Sequence, residues 1–324
     1  MAILVVGSVA YDSVRTTLGG PHVSLGGAAT YFSIAASYFA PVSMVAVVGD
    51  DFRPEDQRLL EDHQVETGGL TRVKGSTFRW IAEYGDDLSE AHTLDTHLNV
   101  FADFQPRLSP TEKNLPYLFL ANIDPDLQHQ VVQQMEKRPK LVAGDTMNFW
   151  IEGKPEALAK VINSMDTLLI NESEVRQLAS ESNLIRAARH ILRQGPSMVI
   201  VKRGEYGAIG FTNTDIFAAP AYPLESVVDP TGAGDTFAGG FMGYLAASGD
   251  LTMEGLRRAM VVGSVMASFT VESFGLDRLS ALTEGDIRSR YREIWKLAYF
   301  GGPNDPELPM RNLDAVETSK RRNH

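Results

Sequence analysis

The chain has 324 residues, of which 44% are hydrophobic and 22% are charged, a composition that is ordinary for a globular protein with one large domain. A formal net charge of −11 argues against a nucleic-acid partner, and the absence of cysteine excludes disulfides, thiolate metal sites and a cysteine nucleophile while being compatible with a reducing cytoplasm. No apolar run is long enough to span a membrane and the N-terminus lacks a signal-peptide pattern, so we expect a cytoplasmic protein without a membrane partner.

The first part of the chain alternates apolar runs with helical segments. The run AILVV at 2–6 predicts a first strand, a small-residue segment at 27–38 predicts a helix, and PVSMVAVVGDD contains the next strand. This alternation is typical of a parallel sheet. Because the runs are apolar without interruption, we expect strands that helices cover on both faces, which is an α/β domain with a central, mostly parallel sheet.

Residues 68–104 have a different pattern. The segments STFRWIAEY and HLNVF alternate apolar and polar residues, which indicates strands with one exposed face. Turns between them are supplied by Gly68, Gly69, Gly75, Gly85, Asp86 and Asp87. We therefore predict a small antiparallel sheet here, and we interpret it as a lid.

The alternation of strands and helices returns after residue 115, and the last third is mostly helical. We predict strands at 117–120, 140–145, 166–170 and near 199–202, and helices near 125–136, 155–163, 183–193, 235–248, 251–272 and 284–298. After Gly301 the sequence is rich in Pro, Asn, Asp and charge. We therefore assign residues 1–301 to one domain and expect 302–324 to be a partly disordered extension.

Polar residues follow the apolar runs of this sheet. Ligands of open α/β sheets bind beyond the carboxyl ends of the strands, so one edge would collect these residues. They are Gly7–Asp12, Gly49–Asp51, Asp145–Asn148, Asn171–Glu174, Lys202–Gly207 and Asp229–Asp235. We expect the functional site at this edge.

The segment VDPTGAGDTFAGGF at 228–241 carries the most specific chemistry. It reads as a strand end, a glycine-rich turn and the start of a helix, where backbone N–H groups attract anions. Gly232 and Gly234 allow amides to approach a phosphate closely. A carboxylate among such donors would repel the phosphate, so Asp235 is either a helix cap or a proton acceptor, and the pattern alone leaves both open.

DPTGAGDTFAGGF resembles the C-terminal signature of the ribokinase-like (PfkB) family of carbohydrate and nucleoside kinases. GGAATYFSIAASYF at 26–39 resembles the N-terminal signature of that family, NESE at 171–174 its N-x-x-E motif, and VIVKRGEYGA at 199–208 its strand-turn-strand beside the nucleotide. Four motifs in family order are specific together. The resemblance implies a ribokinase-like three-layer α/β/α fold with a small β lid, formed by 68–104 and a segment near 13–24. Because that first segment is short, we expect a reduced lid; a homodimer through the lid stays open.

The resemblance also implies an ATP-dependent kinase that transfers the γ-phosphate to a hydroxymethyl-type hydroxyl of a sugar or nucleoside. Asp235 would be the catalytic base, and Gly232, Ala233 and Gly234 would form the anion hole. Asn171 and Glu174 would organise Mg²⁺, Glu174 through water, although N-x-x-E is also an ordinary helix cap. The nucleotide-binding site would be lined by Lys202, Gly204, Gly207 and Thr231.

On the acceptor side, the family positions correspond to Asp12, Gly26 and Gly27, where Asp12 has the alternative of capping a turn. Tyr31 stands where many members have Asn, so the usual hydroxyl contact gives way to an aromatic wall. Trp150 replaces an Arg of a D-x-N-x-R stretch, so a phosphate contact is missing there. Asp229 and Thr231 match a monovalent-cation site for K⁺, completed by carbonyls around 273–275.

The class of acceptor stays open between a sugar and a nucleoside. Phe78, Trp80 and Tyr31 would stack on a base or would form the core of the lid. A phosphorylated acceptor is less favoured, because the proposed acceptor positions lack paired basic residues; Arg72, Lys74 and Arg79 in the lid are the exception.

The sequence also bears on three other classes of protein. A dinucleotide-dependent oxidoreductase lacks its G-x-G-x-x-G after the first strand, and the Gly153-Lys154 pair lacks the glycine that a P-loop needs five residues earlier. The remaining alternative is a non-catalytic nucleotide- or sugar-binding sensor that keeps the fold. The presence of Asp235 weighs against it.

Overall fold

The computed structural model describes residues 1–85, 88 and 91–298. The turn residues Asp86 and Asp87 and the extension predicted at 302–324 lie outside the described residues, as does the end of the predicted domain at 299–301. The strands are β1 (Ile3–Val6), β2 (Ala10–Thr16), β3 (Gly19–Gly26), β4 (Val42–Val48), β5 (Val65–Arg72), β6 (Phe78–Tyr84), β7 (Ala91–His97), β8 (Tyr117–Leu120), β9 (Leu141–Asp145), β10 (Thr167–Asn171), β11 (Met198–Lys202), β12 (Ala208–Thr212) and β13 (Ile216–Ala219). The α-helices are α1 (Ala28–Ser37), α2 (Pro54–Asp62), α3 (Pro125–Gln134), α4 (Asn148–Gly153), α5 (Pro155–Ile162), α6 (Glu172–Ala179), α7 (Leu184–Leu192), α8 (Ala233–Ser248), α9 (Met253–Thr270), α10 (Asp277–Ser280) and α11 (Glu284–Ala298).

In the described part of the chain, the large sheet has nine strands in the order β13-β12-β11-β10-β9-β8-β1-β4-β5. The strands from β11 to β5 pair in parallel, and β12 and β13 are antiparallel additions at one edge. The predicted mostly parallel sheet is confirmed. Because β1, β8, β9, β10 and β11 all end at the same edge, the polar residues that follow them are brought together.

Helices cover both faces of this sheet, as the uninterrupted apolar strands predicted. Side chains alternate across each strand, so Ile3 and Val5 of β1 join a core under α1, α8 and α9, while Leu4 and Val6 join a core under α3, α5, α6 and α7. Phe32 of α1 and Phe119 of β8 stack in the first core with ring centroids 4.3 Å apart. The three-layer α/β/α architecture is therefore confirmed.

A second, four-stranded sheet in the order β3-β2-β6-β7 forms the lid. It is mixed rather than purely antiparallel, because β2 and β6 run in parallel while β2–β3 and β6–β7 are antiparallel. The segment near 13–24 lies within the paired strands β2 and β3, which have seven and eight residues. The expected reduction of the lid relative to the family stays a prediction.

Two segments of the range 68–104 do not form the predicted lid strands. Residues 65–72 form β5, which pairs with β4 in the large sheet, because Val65 and Leu70 pack on its core and Gly69 fits closely beside Met44 and Val45 of β4. HLNVF was expected to be a strand, but β7 ends at His97 and Asn99–Asp103 is a 3₁₀ helix. Asn99 has a positive φ of 48°, which stops the strand.

Among the described helices, none combines the length and apolarity that crossing a bilayer requires.

The centre of the sheet should dominate the stability of the domain. Leu169 of β10 is fully buried in the core under α8 and α9, so we expect Leu169→Ala to lower the free energy of unfolding by about 2–5 kcal/mol through lost burial and a residual cavity. Ile185→Ala on α7, where the residue is 43% exposed, is the control and should cost about 1 kcal/mol or less. Urea unfolding measures both, and equal losses would contradict this assignment of the core.

Candidate active site

The glycine-rich turn before α8 has a fixed shape. Val228 N–H donates to the Val271 carbonyl at 2.8 Å, and Thr231 N–H donates to Asp229 Oδ1 at 2.9 Å. Gly232 caps α8 with φ 74°, and a Cβ there would lie 2.4 Å from the ring of Tyr31. Glycine is thus required at position 232 both by the left-handed backbone and by the absence of space.

Two backbone amides of this turn are available to a ligand. Ala233 N–H donates to the Pro230 carbonyl at 3.2 Å, so it is already engaged. Within the described residues, the amides of Gly234 and Asp235 have no hydrogen-bond partner. They lie in the first turn of α8, where the helix dipole favours an anion.

Asp235 stands in that same turn, half-buried. Gly232 caps α8 and no side chain takes part in the cap, so the alternative of a helix cap for Asp235 is wrong. Burial, followed by the negative charge of Asp145, raises the pKa of Asp235 to about 7 against the opposing charge of Lys202. A carboxyl with a pKa near neutrality can accept a proton from a bound hydroxyl group.

Lys202 ends β11 and extends across the end of β10 to Asp145, which ends β9. Its Nζ lies 3.1 Å from Asp145 Oδ2. A Cβ on Gly234 would lie 2.8 Å from that Nζ, so the ammonium rests directly on the first turn of α8. The charges of Asp145, Glu174 and Asp235 raise the pKa of Lys202 against the effect of burial, so it stays protonated.

Asp12 lies within β2 of the lid and is buried, so it is not the turn cap that the sequence left as an alternative. Its Oδ2 accepts a hydrogen bond from Gly27 N–H at 3.4 Å, and a Cβ on Gly26 would lie 1.9 Å from the same oxygen. Gly27 caps α1 with φ 91°. Burial raises the pKa of Asp12 to about 7, with a smaller contribution from the charge of Asp229.

Two tyrosines close the space between Asp12 and the turn. Tyr31 is fully buried and its hydroxyl has no partner among the described residues. Burial, followed by the charges of Asp12, Asp229 and Asp235, raises its pKa. Tyr84, at the end of β6, accepts a hydrogen bond from Thr231 Oγ1 at 3.3 Å, so the lid reaches the turn. No local pattern in the sequence indicates a role for Tyr84, because this contact joins residues 147 positions apart.

Asn171 and Glu174 form a reciprocal capping box on α6. Glu174 N–H donates to Asn171 Oδ1 at 2.7 Å, and Asn171 N–H donates to Glu174 Oε2 at 3.0 Å. The ordinary cap that the sequence allowed is therefore present. Glu174 also contributes to the electrostatics of the site, because its charge acts on Lys202 and Asp235.

The turn after β11 contains Gly204 with φ 55° and Gly207 with φ 82°. A Cβ on Gly207 would lie 2.2 Å from the Ala219 carbonyl oxygen, whereas one on Gly204 would meet open space. The turn thus follows Lys202 at the same sheet edge and leaves an open surface at Gly204.

Asp229 is buried and joins the turn to the loop after α9. Its Oδ2 accepts a hydrogen bond from Gly275 N–H at 3.5 Å. Among the described residues, no basic side chain forms an ion pair with Asp229. A Cβ on Gly275 would lie 2.5 Å from Ser24 Oγ of β3, so the lid also packs on this loop.

Three of the aromatic and basic residues predicted for the lid have partners inside the protein. Phe78 stacks on Phe101 with centroids 5.3 Å apart, and Trp80 Nε1–H donates to Thr93 Oγ1 at 3.1 Å. Arg79 forms an ion pair with Asp51 at 2.8 Å. Phe78 therefore belongs to the packing of the lid, as one of the two alternatives predicted.

Trp150, at the position of the expected Arg, donates from its indole Nε1–H to Asn122 Oδ1 at 3.0 Å. No cation reaches the turn from this segment in the described structure. Asp145, which begins the same stretch, is the residue of it that contacts the site.

Comparison with known proteins identifies relatives along most of the chain. The family model described as "pfkB family carbohydrate kinase" matches residues 2–282. The cytidine kinase of Thermococcus kodakarensis is 26% identical over 75% of this chain and 88% of its own length, and the nucleoside kinase of Methanothermobacter thermautotrophicus is 26% identical over 83% and 85%. The structure of aminoimidazole riboside kinase from Salmonella enterica, complexed with aminoimidazole riboside and an ATP analog, has a TM-score of 0.71 at 18% identity and covers 90% of this chain and all of that one.

The raised pKa of Asp12 predicts a pH-dependent stability. Because the carboxyl has a pKa of about 7 when folded and near 4 when unfolded, the folded state holds the proton more tightly, and stability is lost as pH rises from 4 through 7. Asp12→Asn keeps the acceptor for Gly27 N–H and removes the ionisation, so the fall in unfolding free energy between pH 5 and 8 should shrink by on the order of 1–3 kcal/mol.

Urea unfolding at the two pH values measures this difference. The exposed Asp277→Asn at the start of α10 is the control and should leave the pH dependence as it is in the wild type. The same pH dependence in Asp12→Asn and the wild type would show that Asp12 is ionised in the folded protein throughout this range.

Proposed function

The chain belongs to the pfkB family of carbohydrate kinases, and we propose that its reaction is the transfer of the γ-phosphate of ATP to a hydroxymethyl-type hydroxyl at the sheet edge described above. It is a sugar or nucleoside kinase, which is a phosphotransferase with an alcohol group as acceptor. Its fold is that of ribokinase-like proteins. The finer assignments below rest on the geometry of the site.

The proposed step uses Asp235 as the base. The acceptor hydroxyl oxygen forms a bond to the γ-phosphorus, the bond from that phosphorus to the bridging oxygen breaks, ADP leaves, and the hydroxyl proton passes to Asp235. The observation that carries this proposal is the Asp235 carboxyl itself, with a pKa of about 7, beside the unbonded amides of Gly234 and Asp235. An anion at those amides lies next to the base.

The acceptor would lie between Asp12 of the lid and the turn, over Gly26 and Gly27, with Tyr31 and Tyr84 as walls. Two relatives that cover most of this chain are named cytidine kinase and nucleoside kinase, which favours a nucleoside over a sugar. Arg79 of the lid is engaged by Asp51, and Arg72 of β5 donates to the Phe52 carbonyl. Two of the three cations that could meet a phosphorylated acceptor are therefore already bonded, which favours an unphosphorylated one.

The nucleotide would lie along the turn after β11, at Lys202, Gly204 and Gly207, with Thr231 at the phosphate end. Carboxylates outnumber cations at this edge, so the site fits a divalent cation. Since the described residues contain no group of three acidic or histidine ligands, Mg²⁺ would be held by phosphates and water, with Glu174 and Asn171 ordering that water. Mg²⁺ supplies neutralisation of the phosphate charge.

Asp229 with Thr231 and the 273–275 loop is proposed as a K⁺ site. A buried carboxylate that receives amide hydrogen bonds but no ion pair within the described residues fits a monovalent cation. Because Ser24 of the lid packs on Gly275, an ion here would also support the lid.

The proposed function is tested by ADP formation from Mg-ATP with a panel of nucleosides, pentoses and hexoses. We expect turnover with one class of acceptor and a loss of about 100-fold or more in Asp235→Asn, with ATP binding nearly intact, because only the proton acceptor is removed. Coupled assays give kcat, and calorimetry gives the ATP affinity.

Glu156→Gln is the control, an exposed acidic residue in the first turn of α5. It removes the same charge from an equivalent helix position and should behave as the wild type. Full turnover in Asp235→Asn would reject the base, and tight ATP binding without turnover of any acceptor would favour the non-catalytic sensor.

Removal of Mg²⁺ with a chelator should abolish ADP formation, because the crowded carboxylates would otherwise face an unneutralised triphosphate. Replacing Na⁺ by K⁺ at constant ionic strength should raise kcat if an ion at Asp229 orders the turn. Asp229→Asn should then lose the difference between K⁺ and Na⁺. A K⁺ response that persists in Asp229→Asn would place the ion elsewhere.

A further inference from the structure

We propose that Lys202 is a catalytic residue that contacts the transferring phosphoryl group, and that Asp145 is the residue that positions it. The inference rests on the proposed function and deepens it, because it names a group that neutralises charge at the anion hole itself. The family resemblance by itself places Lys202 only along the nucleotide.

Lys202 lies at the proposed anion hole. The Lys202 ammonium lies within contact distance of the first turn of α8, because a Cβ on Gly234 would be only 2.8 Å from Nζ. The neighbouring amides of Gly234 and Asp235 have no hydrogen-bond partner in the described part of the chain. An anion bound at these amides would therefore touch the ammonium.

The Lys202 ammonium has N–H donors to spare for a ligand. An ammonium has three N–H donors. Within the described residues, Lys202 Nζ donates one hydrogen bond, to Asp145 Oδ2 at 3.1 Å. Two donors remain for the oxygens of a phosphoryl group.

The Lys202 side chain is held in place by Asp145. Asp145 and Lys202 lie on strands that flank β10, where Leu169 pairs with Asp145 and Asn171 pairs with Lys202. Asp145 is buried, and its other oxygen, Oδ1, has no partner among the described residues. A buried ion pair contributes little net stability, since desolvation offsets the attraction, so the pair is better explained by positioning than by stability.

In the described part of the chain, the neighbouring segments supply no second cation to the turn. Trp150 occupies the position at which the sequence led us to expect an Arg, and its indole donates to Asn122. Glu172 binds the guanidinium of Arg203, the residue after Lys202. Within the described residues, Lys202 is the cation that the charges of Asp235, Asp145 and Glu174 share.

During the transfer, Lys202 keeps its proton. The bond to the acceptor oxygen forms and the bond to ADP breaks as described above, the proton moves to Asp235, and the ammonium offsets the charge on the phosphoryl oxygens. A group of this kind should bind the transition state more tightly than it binds ADP.

The test compares Lys202→Gln with Lys154→Gln, which also removes an ion-paired lysine but one that binds Asp124 and Asp126. We expect Lys202→Gln to lower kcat about 100-fold or more with little change in the KM of the acceptor, and Lys154→Gln to match the wild type. Calorimetry with Mg-ADP alone and with Mg-ADP plus aluminium fluoride, a mimic of the transferring group, should show a loss confined to the mimic.

The double variant Lys202→Gln with Asp145→Asn separates catalysis from folding. If Lys202 only neutralises a buried carboxylate, the double variant recovers both stability and activity, which would overturn the proposal. We expect recovered stability, measured by urea unfolding, without recovered activity. Equal losses of affinity for ADP and for the mimic would also overturn it.

The proposed function fails by a different result. A wild type that turns over no acceptor would reject the kinase reaction, and the comparison between ADP and the fluoride mimic would still decide the role of Lys202. Activity retained in Asp235→Asn would reject the base alone.

Discussion

The concentration of negative charge at the start of α8 is the constraint on which the site depends. Asp12, Asp145, Asp229 and Asp235 meet there, and burial together with their mutual repulsion raises the pKa of Asp12 and of Asp235 to about 7. Within the described residues, Lys202 and the positive end of α8 oppose this charge. The Mg²⁺ of the proposed Mg-nucleotide would offset the remaining negative charge.

The lid and the large sheet contribute different halves of this arrangement. The lid carries Asp12 on β2 and Tyr84 on β6, whereas the sheet carries Asp145 and Lys202 at its strand ends. Contacts from Tyr84 to Thr231 and from Ser24 to Gly275 fix the two parts against each other. In the proposed function, an acceptor bound at the lid would therefore lie against the turn that would hold the phosphate.

The sequence predicted those parts of the structure that depend on local pattern. The run AILVV forms β1, and the glycine-rich turn leads into α8 as expected. Both features depend on the apolarity or backbone freedom of residues that are neighbours in the sequence. NESE became a capping box for the same reason.

The errors and omissions arise from long-range packing. HLNVF alternates like a strand, but a positive φ at Asn99 turns it into a 3₁₀ helix. Gly68 and Gly69 suggested turns of the lid, yet they lie within β5, where Gly69 fits closely beside β4. The Asp145–Lys202 pair joins residues 57 positions apart across an intervening strand, which no local pattern records.

The departures from the family motifs are consistent with this charge constraint. Tyr31 fills the space beneath Gly232 and leaves room for no side chain there, so the turn is held by an aromatic ring. Its buried hydroxyl lies in the field of three carboxylates without a described partner, and an unpaired buried polar group is costly unless a ligand pairs with it. A non-catalytic sensor would gain nothing from a carboxyl whose pKa is raised to about 7 beside unbonded amides, because ligand binding alone needs no proton acceptor. This arrangement, together with a lysine that a buried aspartate holds over it, offers the groups that the proposed phosphoryl transfer would use and that simple binding does not need.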